Sequence, residues 1–143
     1  MDLKRINDHI SVSGQILPQD IAALKAQGFV AIINNRPEGE SPDQPDGTEI
    51  EAAAKAAGLA YYAIPLGREG VNAEMVEQTK AALAASNGPV FAFCRSGTRS
   101  TFLWALARNR LGDAGEPLIA KAAGAGYDLS PIRPILMQPY PLG

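Results

Sequence analysis

Short apolar runs that alternate with helical segments constrain the fold of this 143-residue chain more than any other feature. Residues 29–33 and 89–93 are continuous apolar runs, typical of strands that are covered on both faces. Glycines such as Gly28 and Gly58 are predicted to end the helices that precede the strands. Strands are predicted over residues 10–13, 29–33, 59–64 and 89–93, and helices from Pro18 and over residues 48–57, 73–85, 99–111 and 116–123. This alternation predicts an α/β domain with a central, mostly parallel sheet flanked by helices.

The composition narrows the classes of function that this chain can serve. Its length, with 46% hydrophobic and 20% charged residues, predicts one globular domain over residues 1–143. A net charge of −2 argues against a broad nucleic-acid-binding face. Because Cys94 and His9 are each the only residue of their type, an intrachain disulfide is excluded and a zinc site is disfavoured. We expect no cofactor.

The apolar runs are all short. None approaches the roughly 18 residues that a membrane-spanning helix needs, and residues 1–14 lack the apolar core of a secretory signal. We therefore expect the chain to work away from the membrane in a reducing, bacterial-type cytoplasm, where a single thiol stays reduced. The sequence indicates no particular oligomeric state.

The segment most indicative of chemistry is PVFAFCRSGTRS, residues 89–100, in which a predicted strand ends at Cys94 and a helix follows. The N-terminus of a helix carries unpaired N–H groups and the positive end of the helix dipole. Arg95 and Arg99 add positive charge, and such surroundings favour a nucleophilic thiolate. The alternative is that Cys94 is a small buried apolar side chain, the commonest role of a free cysteine. The two arginines favour the reactive interpretation, because an apolar core does not require them.

The same loop has the composition of an anion-binding site. The candidate anion-binding residues are Arg95, Ser96, Gly97 and Thr98, whose backbone N–H groups can surround a tetrahedral anion. Gly97 lets the backbone curl around that anion. The planar guanidinium of Arg99 can hold two oxygens at once.

Arg36 is a further candidate for anion binding. It is the third residue of the loop of residues 34–47, which follows a predicted strand end, where α/β proteins place their sites. Arg36 either neutralises a substrate anion or pairs with Glu38 or Glu40, and both interpretations stay open.

Several other residues favour structural roles. Trp104 lies in a helical stretch that is apolar on all sides, which predicts a core position. His9 is predicted to be a surface or structural residue. Tyr61 and Tyr62 are neighbours on a strand, so one is expected to face in and the other out.

Four segments give the chain a family resemblance: SVSGQ at residues 11–15, IINNRPEGE at 32–40, YAIPL at 62–66 and the Cys94 loop. They occur in the expected order and extend the resemblance over roughly residues 5–127. The chain resembles the protein-tyrosine-phosphatase superfamily in its small dual-specificity form. It is more closely similar to a bacterial beta-lactamase hydrolase-like family, which also occurs fused to persulfide-handling metallo-hydrolase domains. The resemblance implies a single-domain dual-specificity-phosphatase-like fold and phosphatase activity.

The Cys94 loop departs from the phosphatase pattern. Four residues separate Cys94 from Arg99 where phosphatases of this superfamily have five, and Phe93 stands where they usually have histidine. CRSGTR is instead similar to the active loop of rhodanese sulfurtransferases, which carry a persulfide on cysteine. Persulfide transfer needs a thiolate and N–H donors but no general acid.

The general acid is a further departure. The superfamily usually supplies an aspartate after the segment matched here by residues 64–66, whereas this chain reads GREG at residues 67–70. Glu69 is the first candidate for protonating a leaving group, and Glu38 and Glu40 are equally available. All three are also compatible with ordinary surface carboxylates.

Three functions remain open. The first is phosphatase chemistry on a phosphorylated substrate: Cys94 attacks phosphorus, Arg99 and the loop N–H groups stabilise the developing charge, and Ser100 assists the thiolate or its departure. The second is sulfur transfer between a donor and an acceptor through a Cys94 persulfide. The third is a non-catalytic anion-binding module. The substrate is not indicated.

Overall fold

A five-stranded sheet forms the centre of the computed structural model, which describes residues 1–138. The strand order is β1-β2-β5-β3-β4, and all neighbours are parallel except the short edge strand β1, which is antiparallel to β2. The strands are β1 Lys4–Arg5, β2 Ile10–Ser13, β3 Ala31–Asn34, β4 Ala60–Ala63 and β5 Val90–Phe93. The predicted α/β fold with a mostly parallel sheet is confirmed.

Helices cover both faces of this sheet. The helices are α1 Ile21–Ala26 (preceded by a 3-10 turn, Pro18–Asp20), α2 Gly47–Ala56, α3 Ala73–Ala85, α4 Thr98–Arg110, α5 Gly115–Gly124 and, after a second 3-10 turn at Ser130–Ile132, α6 Arg133–Leu136. Helices α1 and α2 contribute to one buried cluster and α3 to α6 to the other. Within residues 1–138, none of these helices has the length and apolar character to cross a bilayer.

The alternation of side chains along β5 builds both core clusters. Phe91 and Phe93 point into the cluster of α1 and α2, whereas Val90 and Ala92 belong to the cluster of α3 to α6. All four residues are buried, which explains why this strand has a continuous apolar sequence. Trp104 is 2% exposed and belongs to the cluster of α3 to α6, so its predicted core position is confirmed.

Several local predictions differ from the structure, mostly at the ends of elements. The strand predicted from Phe29 begins at Ala31, because the Phe29 N–H donates to the carbonyl of Leu24 and so terminates α1. Tyr61 and Tyr62 are both half-buried, each against a different core cluster, because helices cover both faces of the sheet here. His9 is exposed, as expected. Residues 139–143 of the predicted domain lie outside the described residues.

Candidate active site

The candidate site lies at the carboxyl ends of the parallel strands. Ser13, Phe93, Asn34 and Ala63 share one register position across the sheet, so the chain leaves all four strands at the same edge. Cys94 follows the central strand β5. Crevices outside this edge are where open α/β sheets bind ligands.

Cys94 is fully buried and holds its sulfur at the beginning of α4. Its N–H donates to the carbonyl of Ser13 at 3.3 Å, which continues the pairing with β2. The Gly97 N–H donates to Cys94 Sγ at 3.1 Å. Gly97 is the N-cap of α4, so the sulfur accepts from the electropositive end of that helix.

Two glycines shape the loop between Cys94 and Arg99. Gly97 has a φ of 92°, a left-handed conformation that glycine adopts without steric cost. A Cβ at Gly14 would lie 2.7 Å from the carbonyl oxygen of Arg95, so the residue that follows β2 must be glycine for the loop to pack there. Arg95 and Ser96 are exposed at the mouth of the loop, where the Ser96 hydroxyl donates to Thr98 Oγ1 at 3.1 Å.

Arg99 is held in place from one side. Its Nη1 donates to Glu40 Oε2 at 2.8 Å and its Nη2 donates to Glu40 Oε1 at 2.9 Å. Nη1 also donates to the carbonyl of Leu66 at 2.8 Å. The Glu40 hydrogen bonds are the main cause that raises the pKa of Arg99, and the nearby charge of Cys94 acts in the same direction. Glu40 and Leu66 accept from Nη1 and Nη2 and not from the Nε–H, and a hydrogen bond between Arg99 and the Cys94 side chain also raises the pKa of Arg99.

Arg36 lies behind Glu40 and holds it. The Arg36 side chain is 5% exposed, and the three guanidinium nitrogens donate to Glu40 Oε1, Gln15 Oε1 and Ser41 Oγ at 3.0 to 3.1 Å. The structure places Arg36 in an ion pair with Glu40, one of the two interpretations left open by the sequence, and a role of Arg36 in anion binding stays a prediction. Hydrogen bonds from Arg99 first, and from Arg36, lower the pKa of Glu40 to about 2.

The three candidate acids have different surroundings. Glu38 accepts from the Gly47 N–H at 2.7 Å and so occupies the N-terminus of α2. Glu40 is committed to two arginines. Glu69 is exposed in the turn of residues 67–70, directly after the Leu66 carbonyl that Arg99 contacts.

Ser100 has an unusual environment in the first turn of α4. Ser100 is 1% exposed, and its Oγ has no hydrogen-bond partner within residues 1–138. A buried hydroxyl without a partner costs about 1–3 kcal/mol, and such groups are often found where a ligand or a charged intermediate completes the bonding.

The structure adds site residues that the sequence did not indicate. Gln15 is the last residue of the SVSGQ segment, and its side-chain oxygen accepts from Arg36 at 3.1 Å. Tyr127 donates to the carbonyl of Ser96 at 3.0 Å, although 31 positions separate the two residues. No local sequence pattern predicts a contact between residues so far apart in sequence.

The fold and the loop together define a phosphatase-like α/β domain, and comparison with solved structures supports this class. A candidate phosphatase from Neisseria meningitidis has a TM-score of 0.81 and 29% identity, covering 95% of this chain and 96% of that one. PTPMT1 has a TM-score of 0.71 with 15% identity, covering 94% of this chain and 92% of that one, which shows the shared fold alone.

The family follows from the sequence comparisons. Residues 2–111 match the phosphatase-like domain of beta-lactamase hydrolase-like proteins. The chain belongs to this family. Beta-lactamase hydrolase-like proteins from Agrobacterium fabrum and Xylella fastidiosa are 41% and 36% identical over 106 residues, which is 74% of this chain. That region is 25% of each relative, so the chain matches about a quarter of their length.

Proposed function

We propose that this domain is a cysteine-dependent phosphatase with Cys94 as its nucleophile. The observation that carries the proposal is the Gly97 N–H donated to the buried Cys94 sulfur at 3.1 Å, at the N-terminus of α4. The sulfur attacks phosphorus, and the S–P bond forms as the bond to the leaving oxygen breaks. Water then attacks phosphorus, the S–P bond breaks, and inorganic phosphate and the thiolate are released.

Arg99 is proposed to bind the phosphoryl oxygens. Glu40 and the Leu66 carbonyl hold one end of its guanidinium, and the Nε/Nη2 edge would bind two oxygens of the substrate. A guanidinium that is already oriented does not have to reorganise as charge develops in the transition state. In this proposal Glu40 and Arg36 orient Arg99 and do not contact the substrate.

Glu69 is proposed as the general acid. A carboxylate with a pKa of about 2 carries almost no proton at neutral pH, so Glu40 is a poor donor in the observed arrangement. Glu38 is already engaged with the N-terminus of α2. Glu69 is exposed beside the segment that Arg99 contacts, and it is free to approach a leaving group.

Ser100 is proposed to donate its hydroxyl to the Cys94 thiolate as the thiolate is expelled from phosphorus. Its buried oxygen, without a partner in the described chain, supports this role because the thiolate would supply the missing acceptor.

The proposal is tested by intact-mass measurement after brief exposure to an aryl phosphate. An activated aryl leaving group needs little protonation, so a phosphoryl adduct on Cys94 accumulates if its hydrolysis is slow. We expect the added phosphoryl mass on the wild type and none on Cys94→Ser. A wild type that gains no such mass and releases no phosphate contradicts the proposal.

Sulfur transfer is the second candidate, favoured by the four-residue spacing between Cys94 and Arg99. The short loop already directs the Gly97 N–H at sulfur, as a persulfide carrier requires. With thiosulfate, the Cys94 thiolate would attack the outer sulfur, form an S–S bond and release sulfite. Added sulfur on the wild type, with no phosphoryl adduct, would identify this activity. If the wild type forms neither adduct, the result would favour an anion-binding module.

A further inference from the structure

The peptide unit between Ser96 and Gly97 is held at both of its polar ends. Its carbonyl, on Ser96, accepts from the Tyr127 hydroxyl at 3.0 Å. Its N–H, on Gly97, donates to Cys94 Sγ at 3.1 Å. The same peptide unit therefore connects the tyrosine to the sulfur.

The planarity of the peptide makes these two contacts dependent on each other. In a trans peptide the C=O and N–H bonds point in opposite directions, so the direction of one determines the direction of the other. Gly97, with its φ of 92°, has no Cβ that would oppose rotation of this unit. If the unit rotated by about 180°, a carbonyl oxygen would face the sulfur and repel both a thiolate and an anion.

Tyr127 is well placed to prevent that rotation. Its own N–H donates to the carbonyl of Ala122 at 2.9 Å, which ties it to the last turn of α5. Burial, and then the charge of Cys94, raise the pKa of the Tyr127 phenol, so the hydroxyl stays protonated and able to donate. A Cβ on Gly97 would collide with this hydroxyl, which shows how closely the two residues approach.

We propose that Tyr127 is a positioning residue of the Cys94 loop, which keeps the Gly97 N–H directed at the sulfur by holding the Ser96 carbonyl away from it. Tyr127 lies beyond residues 2–111, the part of the chain that matches the family. The catalytic consequence rests on the proposed phosphatase function, whereas the effect on the loop does not.

The test compares Tyr127→Phe with Tyr62→Phe, which removes a hydroxyl from another half-buried tyrosine. In Tyr127→Phe we expect the Gly97 amide proton to shift upfield in a ¹H–¹⁵N spectrum, because its hydrogen bond to sulfur weakens. A single hydrogen bond changes an equilibrium by roughly threefold to tenfold. We expect the dissociation constant of inorganic phosphate to rise, and kcat/KM for an aryl phosphate to fall, by that factor. Tyr62→Phe should change none of these quantities.

Each result separates the two proposals. An unchanged Gly97 amide shift in folded Tyr127→Phe, with unchanged phosphate affinity, would overturn the positioning role whether or not the protein is a phosphatase. If the wild type neither hydrolyses the aryl phosphate nor forms an adduct, the proposed function fails. A shift of the Gly97 amide confined to Tyr127→Phe would still support the positioning role. Equal shifts in both variants would indicate a general loosening of the fold and refute it.

Discussion

Replacing Glu40 with glutamine removes the charge that joins Arg99 to Arg36. Glu40 accepts from Arg99 through both carboxylate oxygens, at 2.8 and 2.9 Å, and from Arg36 at 3.0 Å. Arg36 is buried, so its guanidinium would lose its charged partner away from water. We expect Glu40→Gln to destabilise the fold at neutral pH and to loosen Arg99.

The size of the effect follows from the pKa of Glu40. Its shift from 4.5 to about 2 corresponds to about 3 kcal/mol of interaction that favours the charged carboxylate. The side chain keeps 24% of its surface exposed, and solvent screening reduces that figure to about 1–2 kcal/mol. Because the folded-state pKa is lowered, this stability is present above about pH 4.5 and is lost as the pH falls towards 2.

Urea unfolding at a series of pH values measures this contribution. Between pH 6 and pH 3 we expect the free energy of unfolding of the wild type to fall by about 1 kcal/mol more than that of Glu40→Gln. Glu69→Gln, at an exposed carboxylate, serves as the matched control and should follow the wild type. Identical pH dependence in the wild type and Glu40→Gln would refute the reasoning.

Three further substitutions have directions that the structure determines. Ser100→Ala removes a buried hydroxyl without a partner in the described chain, so urea unfolding should show about 1 kcal/mol of added stability. Phosphate release should be slower than in the wild type, and equal turnover would contradict the role of Ser100. Gly97→Ala places a side chain at a φ of 92° and against the Tyr127 hydroxyl. Phosphate affinity measured by titration should therefore fall roughly tenfold. Unchanged affinity would show that the loop tolerates the side chain. Trp104→Ala opens a cavity in the core, and urea unfolding should show a loss of about 3–5 kcal/mol; a loss below about 1 kcal/mol would mean that the core closes around the gap.

Some of the site could be predicted because its parts are contiguous in the chain. The apolar run of β5, Cys94, Gly97 and the start of α4 lie within ten residues, so hydrophobic patterning and glycine placement were sufficient to predict a strand, a turn and a helix N-terminus around the sulfur. The proposed general acid could not be chosen in the same way. Glu38, Glu40 and Glu69 are equally polar loop residues, and only their hydrogen bonds distinguish them.

The α/β class, the buried strand that carries Cys94 and the chemistry available in the loop can be predicted from the amino-acid sequence, because periodicity and local backbone preferences act between near neighbours. The distant groups that meet at the loop are known from the three-dimensional fold. Glu40 reaches Arg99 across 59 positions and Tyr127 reaches Ser96 across 31, since parallel strands bring their carboxyl ends to one edge and α5 packs alongside α4. Those contacts depend on where the chain returns in space, which no local pattern encodes.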